Sequence, residues 1–293
     1  VLGLLIAAIA GLQPGATVRL PPGIHEKIVI HDQQFDPPVT IDATGAVVRG
    51  LDIHNAGGII WRGGTIEAPK GRGDSDTSAS GRGRGPAYHA AMVKSSRDIS
   101  FENVTFTNAK IGMASARTNG LIIRDSRFTG LRSDGINSVG NSHVLIERNI
   151  FTDTRPIPST GSKADGSWVD GDHCDAIQIW APPDVPLATD ITIRDNIIEG
   201  PTQGINTFGP HGDGYQRIIV ENNRINTSYA AGISVMNCTD CRVRYNKLWP
   251  NEKARYRVNL RTDNSTGLFC ENDIASLPAR QPSHRGNAKC PVR

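Results

Sequence analysis

A repeat of 22 to 23 residues constrains this chain more than any other feature. Its apolar anchors are Ile66, Phe106, Phe128, Phe151, Ile198, Ile225, Leu248 and Ile274, spaced by 40, 22, 23, 47, 27, 23 and 26 residues. Five residues before each stands another apolar side chain: Trp61, Phe101, Ile123, Ile146, Ile193, Val220, Val243 and Phe269. Seven before the last seven anchors stand Ile99, Leu121, Val144, Ile191, Ile218, Cys241 and Gly267. The two-residue step between these columns is strand periodicity with one face turned inward. Two residues before the anchor, the later units carry Asn149, Asn196, Asn223, Asn246 and Asn272. That recurrent Asn marks a turn, because Asn tolerates the left-handed conformation and stacked amides can bond from unit to unit. The unit is too short for a strand and the crossover helix of a βαβ connection, but it suits one coil of a β-solenoid.

A second short strand follows each anchor. Met113, Ile136, Ile177, Ile205, Ile233 and Val258 form a further inward column, with Asn137, Gln178, Asn206, Ser234 and Asn259 as outward neighbours. The pattern predicts an all-β right-handed parallel β-helix of about ten coils, a single domain over residues 1–293. With coils about 4.8 Å apart, the outward residues make a continuous polar stripe facing solvent. Earlier segments (Val18–Leu20, Ile28–Ile30, Val39–Ile41 and Leu51–Ile53) read as looser first coils, and residues 275–293 as an irregular tail.

The open N-terminal end of such a stack needs an apolar cover. Residues 1–12 read as an amphipathic cap helix, with a signal-peptide core as the competing reading; the run is too short for a membrane span. A formal net charge of +3 permits an acidic partner and is far from the footprint of a nucleic-acid binder. Of five cysteines, Cys238 and Cys241 form a C-x-x-C without a second pair at zinc spacing, and Cys241 also falls on a core column. Cys270 and Cys290 are placed to staple the tail, leaving Cys174 as a free thiol. This usage points to an oxidising compartment, secreted or periplasmic.

Two intervals exceed one coil. The excess lies at residues 69–88 and 155–172, and both insertions leave at the same corner, just before the second strand. Long loops on a rigid scaffold tend to carry function. The first holds Arg72, Arg82 and Arg84. The second contains Lys163 and runs into Trp168-Val-Asp-Gly-Asp-His-Cys-Asp-Ala-Ile-Gln-Ile-Trp180, the densest ionisable cluster of the chain. Asp175 repeats the position of Asp134 one coil earlier, so the two carboxyls stack closely and one pKa rises unless a cation intervenes. Such a pair serves acid–base chemistry or a hard cation, while Arg132 beside it offers plain charge neutralisation. Both Asp residues are expected at the mouth of the second strand, outside the apolar columns. His173 is a candidate base. Gln178, Trp180, Asn206 and His211 extend the same face, as do Asn137, Arg257 and Arg261 on neighbouring coils.

Residues 7–23, from Ala7-Ala-Ile-Ala-Gly11 to Leu20-Pro-Pro-Gly23, resemble the opening of secreted β-helix carbohydrate enzymes, including alginate lyases, chondroitinase B and alginate C5-epimerases. Ser133-Asp-Gly-Ile136 and Gly171-Asp-His-Cys-Asp-Ala-Ile177 resemble the T-D-G and G-D-D-C-x-A-I segments of the polygalacturonase family. That second resemblance implies Asp134 and Asp172 as catalytic acids. His173 stands in place of the family's next aspartate, Thr202-Gln-Gly-Ile205 in place of G-H-G, and Ala231-Gly-Ile233 where R-I-K is found.

The expected function is a polysaccharide lyase cleaving an acidic, uronic-acid-containing polymer by β-elimination. Ca2+ held by Asp134, Asp172 and Asp175, or an arginine such as Arg132, would neutralise the substrate carboxylate; His173 or Lys163 would take the C5 proton. The alternatives are an inverting glycoside hydrolase, a C5-epimerase and a non-catalytic glycan-binding or adhesive solenoid.

Overall fold

The computed structural model describes residues 12–69, 88–208, 214–254, 257–275 and 289–290. Residues 1–11 of the expected cap helix, residues 70–87 of the first insertion, and His211 fall outside this description. Among the described residues there is no helix, and none is long and apolar enough to cross a membrane. The described strands assemble into three parallel sheets of 11, 10 and 9 members, in which each strand pairs with its equivalents in the neighbouring coils.

The repeat columns are the physical axis of the stack. On the first sheet Trp61, Phe101, Ile123, Ile146, Ile193, Val220, Val243 and Phe269 pair in succession. The anchors do the same on the second sheet, from Ile66 to Ile274. Phe106, Phe128 and Phe151 lie face to face there, with ring centroids 4.6 Å apart at each step. On the third sheet Met113, Ile136, Ile177, Ile205 and Ile233 stack inside, essentially without exposure. Each apolar side chain thus meets its own kind one coil away, and β-branched residues suit that pleated, buried surface.

Two details differ from the sequence reading. Ile233 pairs with Leu260, not Val258, and Ser234 with Arg261, not Asn259, because the register shifts between Ala231 and Ile233. The Asn ladder is real, but its members are not the left-handed residues. Those are the preceding ones, Arg148, Asp195, Asn222, Tyr245 and Glu271, with φ between 52° and 58°. Each ladder Asn is thereby turned inward; the Oδ1 of Asn149 accepts from Ser126 N–H, and from Asn196 onward each Oδ1 accepts from the backbone N–H and the Nδ2 of the Asn one coil before. Asn149 donates to Asn196 at 2.9 and 3.1 Å, and Asn196 to Asn223 at 3.0 Å for both bonds. Asn196 also donates to the Ile146 carbonyl at 3.0 Å.

Asn196→Ala should therefore strand a buried N–H and a buried carbonyl and cost about 2–5 kcal/mol, measured as a lowered midpoint in chemical denaturation. A smaller cost would mean that water fills the gap.

The outward side of the first sheet carries a ladder of another kind. Arg19, Asp42, Arg62, Glu102, Arg124, Glu147, Arg194, Glu221 and Arg244 succeed one another in register, alternating in sign at every coil. Arg62–Glu102, Arg194–Glu147 and Arg244–Glu221 close to 2.9, 2.7 and 2.8 Å.

The expected staple of the tail is present, and a second disulfide joins Cys238 and Cys241, where the sequence reading had placed Cys241 only on a core column. Cys270 is bonded to Cys290, while Cys174 is free and buried.

Candidate functional site

Both insertions branch from one corner: each leaves a second-sheet strand (Thr65–Glu67 or Ile150–Thr152) and returns to a third-sheet strand (His89–Lys94 or Asp175–Trp180). The second is clasped at its root. Arg155 N–H donates to the Leu131 carbonyl, Asp172 N–H donates to the Ile157 carbonyl, and the Asp172 carboxylate accepts from Ile157 N–H at 2.9 Å and from Arg132 at 3.0 Å. Further out, Thr160 and Val169 form an antiparallel bridge. Arg132 and Asp172 are both buried, so Asp172 anchors the loop. It is separated in role from Asp134 and Asp175, with which the sequence reading grouped it.

Removing one partner of such a pair leaves a lone buried charge, at about 3–5 kcal/mol. Arg132→Met should therefore lower the melting temperature markedly and open the 155–172 segment to proteolysis. Unchanged protease resistance would show that the loop is held elsewhere.

Asp134 and Asp175 stand in one column, with His89, Ile111 and Gln203 above and below. Contrary to expectation they are not at an open mouth: Asp134 is 6% and Asp175 1% exposed. The cause is the corner itself. Gly135 faces the core, where a Cβ would lie 2.6 Å from the Phe151 ring, and Ile136 also points inward. Two consecutive inward residues break the period of two and tuck Asp134 against the next coil. There its carboxylate accepts from Asp175 N–H at 3.0 Å, and the Asp175 carboxylate accepts from the Asn206 amide at 2.6 Å. Burial pushes the pKa of Asp134 up to about 6. Burial, with the adjacent Asp134 charge, pushes that of Asp175 up to about 8. At neutral pH the pair holds a proton. Lys110, which the sequence reading did not single out, favours the ionised form of Asp134.

The stripe is drawn in by this pair. Asn137 and Gln178 are half-buried and joined by a 2.8 Å hydrogen bond, whereas Asn206 and Ser234 are buried instead of facing solvent. Asn206 turns its amide to Asp175. Trp180 stands exposed at the end of its strand, one residue column beyond.

His173 lies outside the pair. Its side chain is 71% exposed, and its Nε2 lies 3.2 Å from the carboxylate of Asp170. Lys163, the alternative base, sits with its ammonium 5.1 Å from the ring centroid of the exposed Trp168. A cavity of about 220 Å³ brings Asp172, His173 and Cys174 together with Gln203 and Tyr229 of later coils. Gln203 and Tyr229 were missed from sequence; only the stacking of coils brings them beside His173. Arg261 lies on the last third-sheet strand, bound to Asp263 at 2.8 Å, and Arg257 precedes that strand. Neither lines the cavity. Among the described residues no three His, Cys, Asp or Glu side chains are grouped to hold a metal ion.

No curated protein is significantly similar to the chain in sequence. Solved structures are similar in fold. The Dettilon tailspike protein (gp208) is 15% identical with a TM-score of 0.51, covering 88% of this chain and 54% of that one. The Streptococcus pneumoniae surface protein and adhesin PfbA is 17% identical with a TM-score of 0.54, covering 91% and 71%. The GH136 lacto-N-biosidase from Eubacterium ramulus is 11% identical with a TM-score of 0.47, covering 93% and 64%. This chain therefore spans only about half the length of the tailspike protein, and at these identities the likeness is one of fold. Residues 39–208, more than half of the chain, match the model of the right handed beta helix region, and the protein belongs to that family.

Proposed function

We propose that the protein is a polysaccharide lyase that cleaves a uronic-acid-containing glycan by β-elimination at the cavity between His173 and Tyr229. The observation that carries this reading is the meeting of an imidazole, a phenol and an amide around one recess at the foot of the second insertion. β-Elimination asks for a base at C5, an acid at the leaving oxygen and a partner for the C6 carboxylate. With Nε2–H donating to Asp170, the Nδ1 lone pair of His173 is left to take the proton. The Tyr229 hydroxyl then protonates the leaving oxygen, and the Gln203 amide donates to the substrate carboxylate as negative charge develops. The exposed Trp168 and Trp180 offer flat apolar faces for sugar rings. Two disulfides support a secreted or periplasmic setting.

A specific observation also favours hydrolysis. The coupled Asp134–Asp175 pair keeps a proton at neutral pH, as a general acid must. The near-complete burial of Asp175 weighs against its touching a substrate.

A screen of acidic polysaccharides, run with calcium and with a chelator, separates the readings. Unsaturated products absorbing in the ultraviolet are expected. New reducing ends without that absorbance would move the assignment to a hydrolase. An uncut polymer with inverted C5 centres would indicate an epimerase, and binding without any product would indicate an adhesive module. Loss of product with the chelator would make Ca2+, in place of Gln203, the partner of the substrate carboxylate.

A further inference from the structure

A second recess opens on the same corner, toward the N-terminal end of the stack. Its volume is about 250 Å³, and its walls include Lys27, Asp52, His54, Tyr88, His89 and Met92. The first wall comes from the turn before Ile28–His31; Asp52 and His54 come from Leu51–His54, and His89 and Met92 from His89–Lys94. Register places Asp52 beside Met92 and His54 beside Lys94. Lys27 makes an ion pair with Asp52, and His54 Nε2 lies 3.9 Å from the same carboxylate. Burial lowers the pKa of His89, so its ring is neutral at pH 7. Tyr88 stands at the rim with its side chain exposed.

This combination has a definite chemistry. A fixed carboxylate accepts from sugar hydroxyls, the flanking ammonium and imidazoles donate to them, and an exposed aromatic ring covers the apolar face of a pyranose. The recess is also aligned with the candidate active site. His89, Ile111, Asp134, Asp175 and Gln203 form one column, so His89 in the wall of one cavity lies four coil steps, about 19 Å at the spacing of parallel strands, from Gln203 in the wall of the other. One sugar ring along an extended glycan is close in length to one coil step.

We infer that this recess is a distal subsite for a further sugar residue of the same glycan chain, so that the protein grips an extended segment running along the solenoid axis. The inference rests on the reading of the His173–Tyr229 cavity as a glycan-processing site. The aromatic wall and the carboxylate are separate contributors, so Tyr88→Ala and Asp52→Asn test it independently.

The probes are uronic-acid trimers and octamers made from polygalacturonate and from alginate. Binding is followed by the ring resonances of His54 and His89, and cleavage by ultraviolet absorbance. The octamer of the bound polymer should shift both His resonances and the trimer neither. Tyr88→Ala and Asp52→Asn should each weaken octamer binding about tenfold while leaving trimer binding unchanged, in variants whose melting temperature matches the parent. Equal binding of trimer and octamer, or an octamer that is cleaved or bound without moving His54 and His89, overturns the subsite and leaves the lyase reading standing. Length-dependent binding that moves both resonances, with no unsaturated product, keeps the subsite and overturns the lyase reading. Failure of every probe to shift His54 or His89 overturns the subsite outright.

Discussion

His173→Gln and Tyr229→Phe should each lower the rate of unsaturated-product formation by about 100- to 10,000-fold, the usual contribution of a positioned acid or base. Both substitutions remove a proton-transfer group and keep most of the side-chain volume. The His173 side chain is largely exposed with Asp170 as its hydrogen-bond partner, so the folded state should lose no more than about 0.5 kcal/mol. Continuous absorbance assays paired with thermal melts make the comparison direct. The two variants should differ in one respect: a better leaving group on the substrate should rescue Tyr229→Phe and leave His173→Gln inactive, because only Tyr229 supplies the leaving-group proton. Retained activity in His173→Gln together with its loss in Asp134→Asn would transfer the chemistry to the buried carboxyl pair.

Asp175→Asn should stabilise the protein, increasingly so as pH rises. The folded-state pKa of Asp175 lies near 8, well above the ordinary 3.8 that the unfolded chain approaches. Below about pH 4 both states are protonated, and the residue contributes nothing to the pH dependence. Between about pH 4 and 8 the unfolded chain ionises while the folded one keeps its proton, so native stability falls as pH rises. Above pH 8 the full penalty persists. Asparagine cannot ionise, and its carbonyl still accepts from the Asn206 amide. Melting temperatures of variant and parent should therefore coincide near pH 4 and separate to several degrees in favour of the variant above pH 8, a gap of a few kcal/mol. A constant difference across that range would mean that Asp175 is ionised in the fold. If activity also falls in this variant, the pair is a case of stability given up for chemistry.

The stacked columns were legible because they follow from side-chain period alone: Phe106 over Phe128 over Phe151, or Ile136 over Ile177 over Ile205, needs only counting. Counting fails wherever the backbone stops alternating. At the third-sheet corner Gly135 and Ile136 both face inward, so the period that placed Ile136 correctly could not show that Asp134 is buried. In the last coils the register shift after Ala231 moves Leu260 into the place expected of Val258, and nothing in Arg257-Val-Asn-Leu260 marks it. The left-handed residues are obscured for a related reason. Arg148, Tyr245 and Glu271 have no local preference for that conformation and take it because the next side chain must point inward to join the Asn ladder. The site was half visible. His173 and the Asp pair stood in a dense cluster, whereas Gln203 and Tyr229 are ordinary residues of later coils made relevant by stacking.

The alternating ladder of Arg19, Asp42, Arg62, Glu102, Arg124, Glu147, Arg194, Glu221 and Arg244 works as a parity check on the length of the solenoid. Excising the single coil that carries Arg124 would set Glu102 directly against Glu147, and like charges facing each other across adjacent strands are destabilising. Excising two successive coils, those of Glu102 and Arg124, would set Arg62 against Glu147 and restore attraction. Duplications obey the same arithmetic. Shortened or lengthened forms of this protein should therefore fold better when coils are removed or added in pairs, and the chain can be cut to new lengths only in steps of two coils without rewriting its outer face.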